Sequence, residues 1–228
     1  MDSGTVTLIE HDLVIVSGAD AGEYLQTQLT QDVLALDVGA SAWSFLLKPK
    51  SEIIVLMRVT RSEANEYTLE VEAGWGDTAR QTIDEFLGRM DVSFDQTTLE
   101  VTEEDERTRI VAGWPRMGKE IDGTVTPVMT GIVAETIAFD KGCYTGQEFV
   151  ARVHYRGAEP PKRLVRITFD DDSTVSEGDS IVVAGGEVGA VTSADTGVAL
   201  GYVKRGVETP SRATVGDFEV ELLPTQPS

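Results

Sequence analysis

Residues 140–157 read DKGCYTGQEFVARVHYRG and contain the only cysteine of the chain, Cys143, between Gly142 and Gly146. Two glycines this close allow the backbone to take positive φ angles or to lie close to a ligand. A thiol in such a turn, two residues after Lys141, is accessible and near a positive charge, which favours a reactive cysteine. A lone cysteine is otherwise most often a small buried apolar residue. The spacing alone therefore leaves both interpretations open.

The residues after the second glycine offer possible partners for the thiol. If the turn opens a helix, Glu148 and Arg152 are four residues apart on one side, and such an ion pair contributes only a few tenths of a kcal/mol. His154 alternates with its neighbours in a pattern that predicts a strand. No third residue that would orient a Cys–His pair is visible, so the pattern gives little support to a hydrolase.

Composition excludes several classes of protein. The chain has 228 residues, with 39 acidic against 19 basic residues and a formal net charge of −20, so general binding to nucleic acid or anionic membranes is not expected. One cysteine and two histidines predict neither a disulfide framework nor a metal site. No apolar run approaches the roughly 20 residues of a membrane span, and the first residues lack a signal-peptide pattern. We therefore expect a cytoplasmic protein.

Two regions differ in their hydrophobic pattern. Residues 1–157 combine strand-like runs with two helical patterns, one beginning after Asp20 and one predicted to be capped by Asp77 and to extend to Met90. Residues 162–228 contain only short β-type runs separated by glycines and acidic turns, which predicts a small β-barrel or sandwich. The intervening GAEPPKR has paired prolines that stop both helices and interior strands. The sequence thus predicts an α+β region of residues 1–157 and a C-terminal β-barrel of residues 162–228.

The octapeptide KGCYTGQE, Lys141 to Glu148, resembles the signature of the YgfZ family, the folate-binding branch of the superfamily that contains the glycine-cleavage T-protein, an aminomethyltransferase. Three other segments resemble the family in the same order along the chain. They are VSGADAGEYLQTQLTQDV at residues 16–33, LLKPKSEIIVLMRV at residues 46–59 and RIVAGWPRMGKEI at residues 109–121.

The resemblance implies a T-protein-like folate-binding region followed by a β-barrel. It implies a functional role for Cys143 in tetrahydrofolate-dependent maintenance or assembly of iron–sulfur enzymes, including those that modify tRNA. The partners implied are these iron–sulfur enzymes or assembly proteins and a folate derivative. The motif and ligand-cavity residues that it implies are Lys141, Gly142, Tyr144, Gly146, Gln147, Glu148 and Arg152. Trp114, in the third segment, is a candidate wall for the flat pterin ring.

Three positions depart from the family pattern. Ser51 stands where the hairpin of the family has glycine, Leu56 where it has aspartate, and Val111 where the third segment has glutamate. Neither Leu56 nor Val111 can accept a hydrogen bond from a pterin, and each lost hydrogen bond costs about 1–3 kcal/mol. These replacements predict weak or absent binding of tetrahydrofolate and no aminomethyl transfer.

Three hypotheses about function follow. The first is a YgfZ-like accessory factor for iron–sulfur enzymes, and the second is an aminomethyltransferase-like enzyme that uses tetrahydrofolate. The third is a degenerate, non-catalytic binding module. The order of the matching segments favours the first, and Leu56 argues against the second.

Overall fold

The computed structural model describes residues 8–102, 105–157, 159–170 and 173–225. The elements of the first half are β1 (Leu8–Ser17), α1 (Ala21–Gln28), β2 (Ser41–Leu47), β3 (Ile53–Glu63), β4 (Glu66–Glu72), α2 (Gly76–Asp84), β5 (Ser93–Thr102) and α3 (Glu106–Ala112). The remaining elements are α4 (Pro127–Thr130), α5 (Val133–Thr136), α6 (Gln147–Arg156), β6 (Lys162–Thr168), β7 (Ser180–Val183), β8 (Gly186–Asp195), β9 (Val198–Lys204), β10 (Ser211–Val215) and β11 (Phe218–Pro224).

The chain divides into two compact units, of which the first comprises residues 1–103 and 133–151 and the second residues 104–132 and 152–228. This division assigns residues 104–132 to the unit of the β-strands after residue 162, whereas the sequence pattern grouped them with the first region. The continuous boundary between residues 157 and 162 stays a prediction. In the described ranges, no helix is both long and apolar enough to cross a membrane.

The first unit is built on an antiparallel sheet with strand order β2-β3-β4-β1-β5. In β4, the alternate residues Tyr67, Leu69 and Val71 are buried and the residues between them are half-buried, as expected for a strand with one core face. Helices α1 and α2 contribute Leu25 and Ile83 to the same apolar cluster. This unit combines helices and strands, as the sequence predicted for the first region.

The second unit contains a closed barrel with strand order β10-β11-β6-β9-β8-β7. Its core includes Ile167 and Leu222, each of which is flanked by more exposed residues along its strand. No helix occurs among the described residues from 162 to 225. The fold class, an α+β region and a C-terminal barrel, is therefore confirmed.

A buried polar cluster in the second unit connects α3 with β8. The guanidinium of Arg109 donates to Glu120 Oε2 at 3.0 Å and to Ser193 Oγ at 2.8 Å. The other oxygen of Glu120 accepts from Thr192 and Ser193 at 2.7 and 2.6 Å. Glu120 is fully buried and Arg109 is 4 % exposed, so the Glu120 charge depends on Arg109 for compensation, whereas Arg109 also pairs with Glu106 at 2.7 Å.

Three local predictions were wrong. The helix predicted to extend to Met90 ends at Asp84, and Trp75, not Asp77, is its N-cap residue. His154 lies in helix α6 instead of a strand, because a run of a few alternating residues does not distinguish a strand from one or two turns of amphipathic helix.

Candidate functional site around Cys143

The thiol lies in the loop between α5 and α6, in the first unit. Gly142 and Cys143 are exposed, whereas Lys141 and Tyr144 on either side of them are buried. The loop therefore exposes Gly142 and Cys143 to solvent, while the residue on each side of this pair is buried. Cys143 is not a core residue, and the interpretation of it as a small buried apolar side chain is wrong.

Lys141 is the first anchor. Its ammonium donates to the carbonyl oxygens of Gln26, Leu29 and Gln31 at 2.7, 2.6 and 2.9 Å. Burial lowers the pKa of Lys141 to about 8, and the negative charge of Asp32 partly opposes this shift. The three N–H donors of the ammonium are all used by backbone carbonyls, so none of them is directed at the thiol.

Tyr144, Thr145 and Gly146 form the second anchor. The ring of Tyr144 lies beneath the Lys141 ammonium, with Nζ 5.2 Å from the ring centroid. The Thr145 amide donates to the Thr27 carbonyl at 3.2 Å. Gly146 has φ +83°, and a Cβ at this position would stand 2.7 Å from the Lys48 carbonyl oxygen. The second glycine of the motif is thus required by the fold of this unit.

Gly142 differs from Gly146. Its φ is not in the left-handed region, and a Cβ built on it would meet no atom within 4 Å. The packing of the described chain therefore gives no reason for glycine at this position.

The β2–β3 hairpin that contacts Gly146 contains one of the departures from the family pattern. Ser51 has φ +71°, a left-handed conformation that glycine adopts at little cost. Its side chain is fully buried, and its hydroxyl has no hydrogen-bond partner among the described residues. The backbone at this position thus has a conformation that suits glycine, the residue that the resemblance led us to expect here.

The rest of the motif begins helix α6. Gln147 is its first residue and half-buried, and Glu148 is exposed in the first turn. Arg152 is exposed one turn later and, like His154, falls in the second unit. The ring of His154 makes an edge contact with that of Tyr155, with centroids 5.3 Å apart.

The resemblance to the YgfZ family names Leu56, Val111 and Trp114 as the positions to compare with a pterin site, and each is described in its own unit. Leu56, in the first unit, is buried and pairs with Phe45 across β2 and β3. Val111 is exposed on α3, in the second unit, and its carbonyl accepts from Arg166 at 2.7 Å. Trp114 follows the end of α3 and is half-buried, and its carbonyl accepts a hydrogen bond from Arg109. Neither the side chain of Leu56 nor that of Val111 contains a hydrogen-bond acceptor for a pterin.

Within residues 8–102, 105–157, 159–170 and 173–225, no three His, Cys, Asp or Glu side chains form a group that could hold a metal ion.

Sequence reasoning missed the carbonyl cage around Lys141. The cage belongs to the segment at residues 16–33 that resembles the family, so two matching segments meet in space. Thr30 supports the same junction, because its hydroxyl donates to the Thr136 carbonyl at 2.6 Å and its carbonyl accepts from the Ala138 amide at 3.1 Å. Only the co-occurrence of the two segments could have suggested this contact.

The chain is similar to several known bacterial proteins. It is 28 % identical to an uncharacterized protein of Haemophilus influenzae over 67 % of this chain and 69 % of that protein. It is 26 % identical to the tRNA-modifying protein YgfZ of Vibrio atlanticus over 71 % of this chain and 68 % of that protein. A shorter stretch, 22 % of this chain and 15 % of the relative, is 50 % identical to the tRNA-modifying protein YgfZ of Yersinia enterocolitica.

No protein-family model matches the chain. The structure is similar to the glycine cleavage system aminomethyltransferase T of Bartonella henselae, with a TM-score of 0.79, 15 % sequence identity, and coverage of 96 % of this chain and 86 % of that one. At this identity the likeness concerns the fold. The chain is thus related to the YgfZ proteins and has the fold of the glycine-cleavage T-protein.

Proposed function

We propose that this chain is a YgfZ-like accessory factor that maintains or assembles iron–sulfur enzymes, including tRNA-modifying ones, and that it acts through the thiol of Cys143. The observation that carries this proposal is the exposure of Cys143 between the buried residues Lys141 and Tyr144. A thiol used for packing alone would be enclosed, whereas an exposed thiol on an anchored loop is accessible to a partner. The names of the Vibrio and Yersinia relatives, tRNA-modifying protein YgfZ, support the same class of client.

Tetrahydrofolate is the ligand that the relatives and the fold imply. The residues at the two departing positions do not fit it, because Leu56 is apolar and buried in the sheet and the side chain of Val111 has no polar atom. Because the protein lacks these two acceptors, N–H donors of a bound pterin would stay unpaired, and the binding affinity would be lower. We therefore propose that the chain binds folate weakly at most. The aminomethyltransferase alternative receives no support from these positions.

Complementation tests the proposal. The wild-type chain is expressed in a bacterial strain that lacks its own YgfZ protein, and the tRNA nucleosides whose modification is lost in that strain are quantified by mass spectrometry. We expect the wild type to restore them and Cys143→Ala to fail, with unchanged melting temperature because substitutions of exposed residues usually change stability by less than about 0.5 kcal/mol.

Cys143→Ser is the control for chemistry, because it retains the size of the side chain and a polar hydrogen but no thiol. Full restoration by Cys143→Ala or by Cys143→Ser would show that thiol chemistry is not required. Loss of folding in Cys143→Ala would instead assign a structural role to this residue.

A further inference from the structure

The ammonium of Lys141 occupies a cage of backbone oxygens at the C-terminal end of α1. Lys141 is 9 % exposed, and its three N–H donors meet three carbonyl acceptors within 2.9 Å. An ammonium group has three donors and no acceptor. Its hydrogen-bonding capacity is therefore filled by these three carbonyls.

The three carbonyls belong to a helix end that lacks its own cation. Gln26 lies in the last turn of α1, Leu29 is its C-cap residue, and Gln31 follows two residues later. The final carbonyls of a helix have no partner within the helix, and the helix dipole places partial negative charge there. The last turn of α1 contains no basic residue. Lys141, more than a hundred residues further along the chain, supplies that charge and the missing donors.

The same helix end also receives the chain on the other side of the thiol. The amide of Thr145 donates to the Thr27 carbonyl, and the ring of Tyr144 lies beneath the Lys141 ammonium. Cys143 is thus bracketed by two attachments to residues 26–31, and the exposed segment between them consists of Gly142 and Cys143. Loss of the Lys141 attachment would free the N-terminal side of this segment.

We propose that Lys141 is the positioning residue of Cys143: it binds the C-terminal carbonyls of α1 and thereby fixes the place at which the loop presents the thiol. This inference rests on the proposed function only in taking the Cys143 thiol as the functional group. The three donors of the ammonium are directed at backbone oxygens, so Lys141 acts here through the placement of the loop. The loop that carries the thiol and the helix that precedes β2 then form one rigid structure.

Two measurements on Lys141→Met test the inference. This variant keeps an unbranched apolar side chain but removes the charge and all three donors. We expect the Thr145 amide to lose hydrogen-exchange protection by about tenfold or more, as expected for the loss of interactions of this kind. Because Cys143 is the only cysteine, a nitroxide attached there reports on this loop alone, and its spectrum should show greater mobility.

Lys50→Met is the matched control, because Lys50 is exposed in the β2–β3 hairpin. It should leave exchange and label mobility unchanged. The amides of β1–β4, which belong to the same unit as Lys141, report whether each variant remains folded, so a local change can be distinguished from unfolding of that unit. Wild-type exchange at Thr145 and wild-type label mobility in Lys141→Met would overturn the inference.

If Lys141→Met does not fold, the inference is tested with Lys141→Ala in the presence of propylammonium. This cation replaces the part of the side chain that the substitution removes. Recovery of Thr145 protection with propylammonium, but not with propanol, supports the inference, and equal behaviour with both overturns it. None of these readouts needs a client enzyme. A failed complementation assay would therefore contradict the proposed function without changing this result, and the reverse also holds.

Discussion

Gly146 lies against the Lys48 carbonyl so closely that a Cβ on this glycine would stand 2.7 Å from the carbonyl oxygen. This contact joins the motif loop to the β2–β3 hairpin. Because Gly146 also has φ +83°, alanine would meet both backbone strain and a collision with backbone. We expect Gly146→Ala to lower the free energy of unfolding by about 2 to 4 kcal/mol, measured by urea denaturation.

Gly142→Ala is the matched control in the same loop. Its φ lies outside the left-handed region and its Cβ would face open space, so the stability of the first unit should hardly change. Equal destabilisation by the two substitutions would contradict the contact between Gly146 and Lys48.

Ser51 is a site at which the fold can be stabilised. Ser51→Gly relieves the positive φ and removes a buried hydroxyl that has no partner among the described residues. We expect a gain of about 1 to 3 kcal/mol in the free energy of unfolding, after the entropic cost of glycine in the unfolded chain. Thermal and urea unfolding measure this gain.

Ala184→Gly separates the two contributions, because Ala184 also has a positive φ, of 51°, but is exposed and has no polar side-chain atom. A smaller gain at Ala184 than at Ser51 is expected. If Ser51→Gly destabilised the protein, the hydroxyl would be shown to make a favourable interaction.

Arg109 should be among the most sensitive positions of the second unit. Arg109→Met leaves the fully buried carboxylate of Glu120 without its ion-pair partner, and breaking such a pair costs about 3 to 5 kcal/mol. Loss of exchange protection in α3 and β8 would report the change. Arg107→Met, on the exposed side of the same helix, should cost less than 1 kcal/mol by the general behaviour of surface substitutions. Similar losses of unfolding free energy in both variants would argue against a stabilising role of the buried Arg109–Glu120 pair.

Alkaline pH should stabilise the wild type relative to Lys141→Met. The pKa of Lys141 falls from its ordinary 10.5 to about 8 in the folded protein, chiefly because of burial. Between these values the unfolded chain binds more protons than the folded one, so the free energy of unfolding rises with pH. The difference between wild type and variant should grow by up to about 3 kcal/mol across this range.

This difference is measured by urea unfolding of both proteins at pH values from 7 to above 10, in steps of about one pH unit. Groups other than Lys141 titrate in both proteins and cancel in the comparison. A constant difference would show that the ammonium keeps its ordinary pKa.

Tetrahydrofolate should bind weakly or not at all. Two missing hydrogen bonds reduce affinity about a hundredfold or more, and calorimetric titration measures it. Val111→Glu restores one carboxylate on the exposed face of α3 and should strengthen binding about tenfold. A wild-type dissociation constant in the low micromolar range or tighter would mean that other residues hold the pterin.

The octapeptide around Cys143 and the alternating runs after residue 162 allowed the family likeness and the barrel to be predicted from sequence. Both signals are local: the motif is contiguous, and the burial of a barrel strand follows from alternation along a few residues. Gly146 does not belong to this class, because a glycine only permits a positive φ: Gly146 adopts one, whereas Gly142 in the same motif does not.

The role of Lys141 was decided by tertiary structure alone. In sequence Lys141 neighbours the thiol, but its hydrogen-bond partners are carbonyls of residues 26–31. Backbone oxygens carry no sequence signature, so their need for donors at the end of α1 appears only once the helix is formed and the loop is brought to it. The sequence determined which residues surround Cys143, and the packing of the motif loop on the end of α1 determined that Lys141 and Tyr144 are buried while the thiol is exposed.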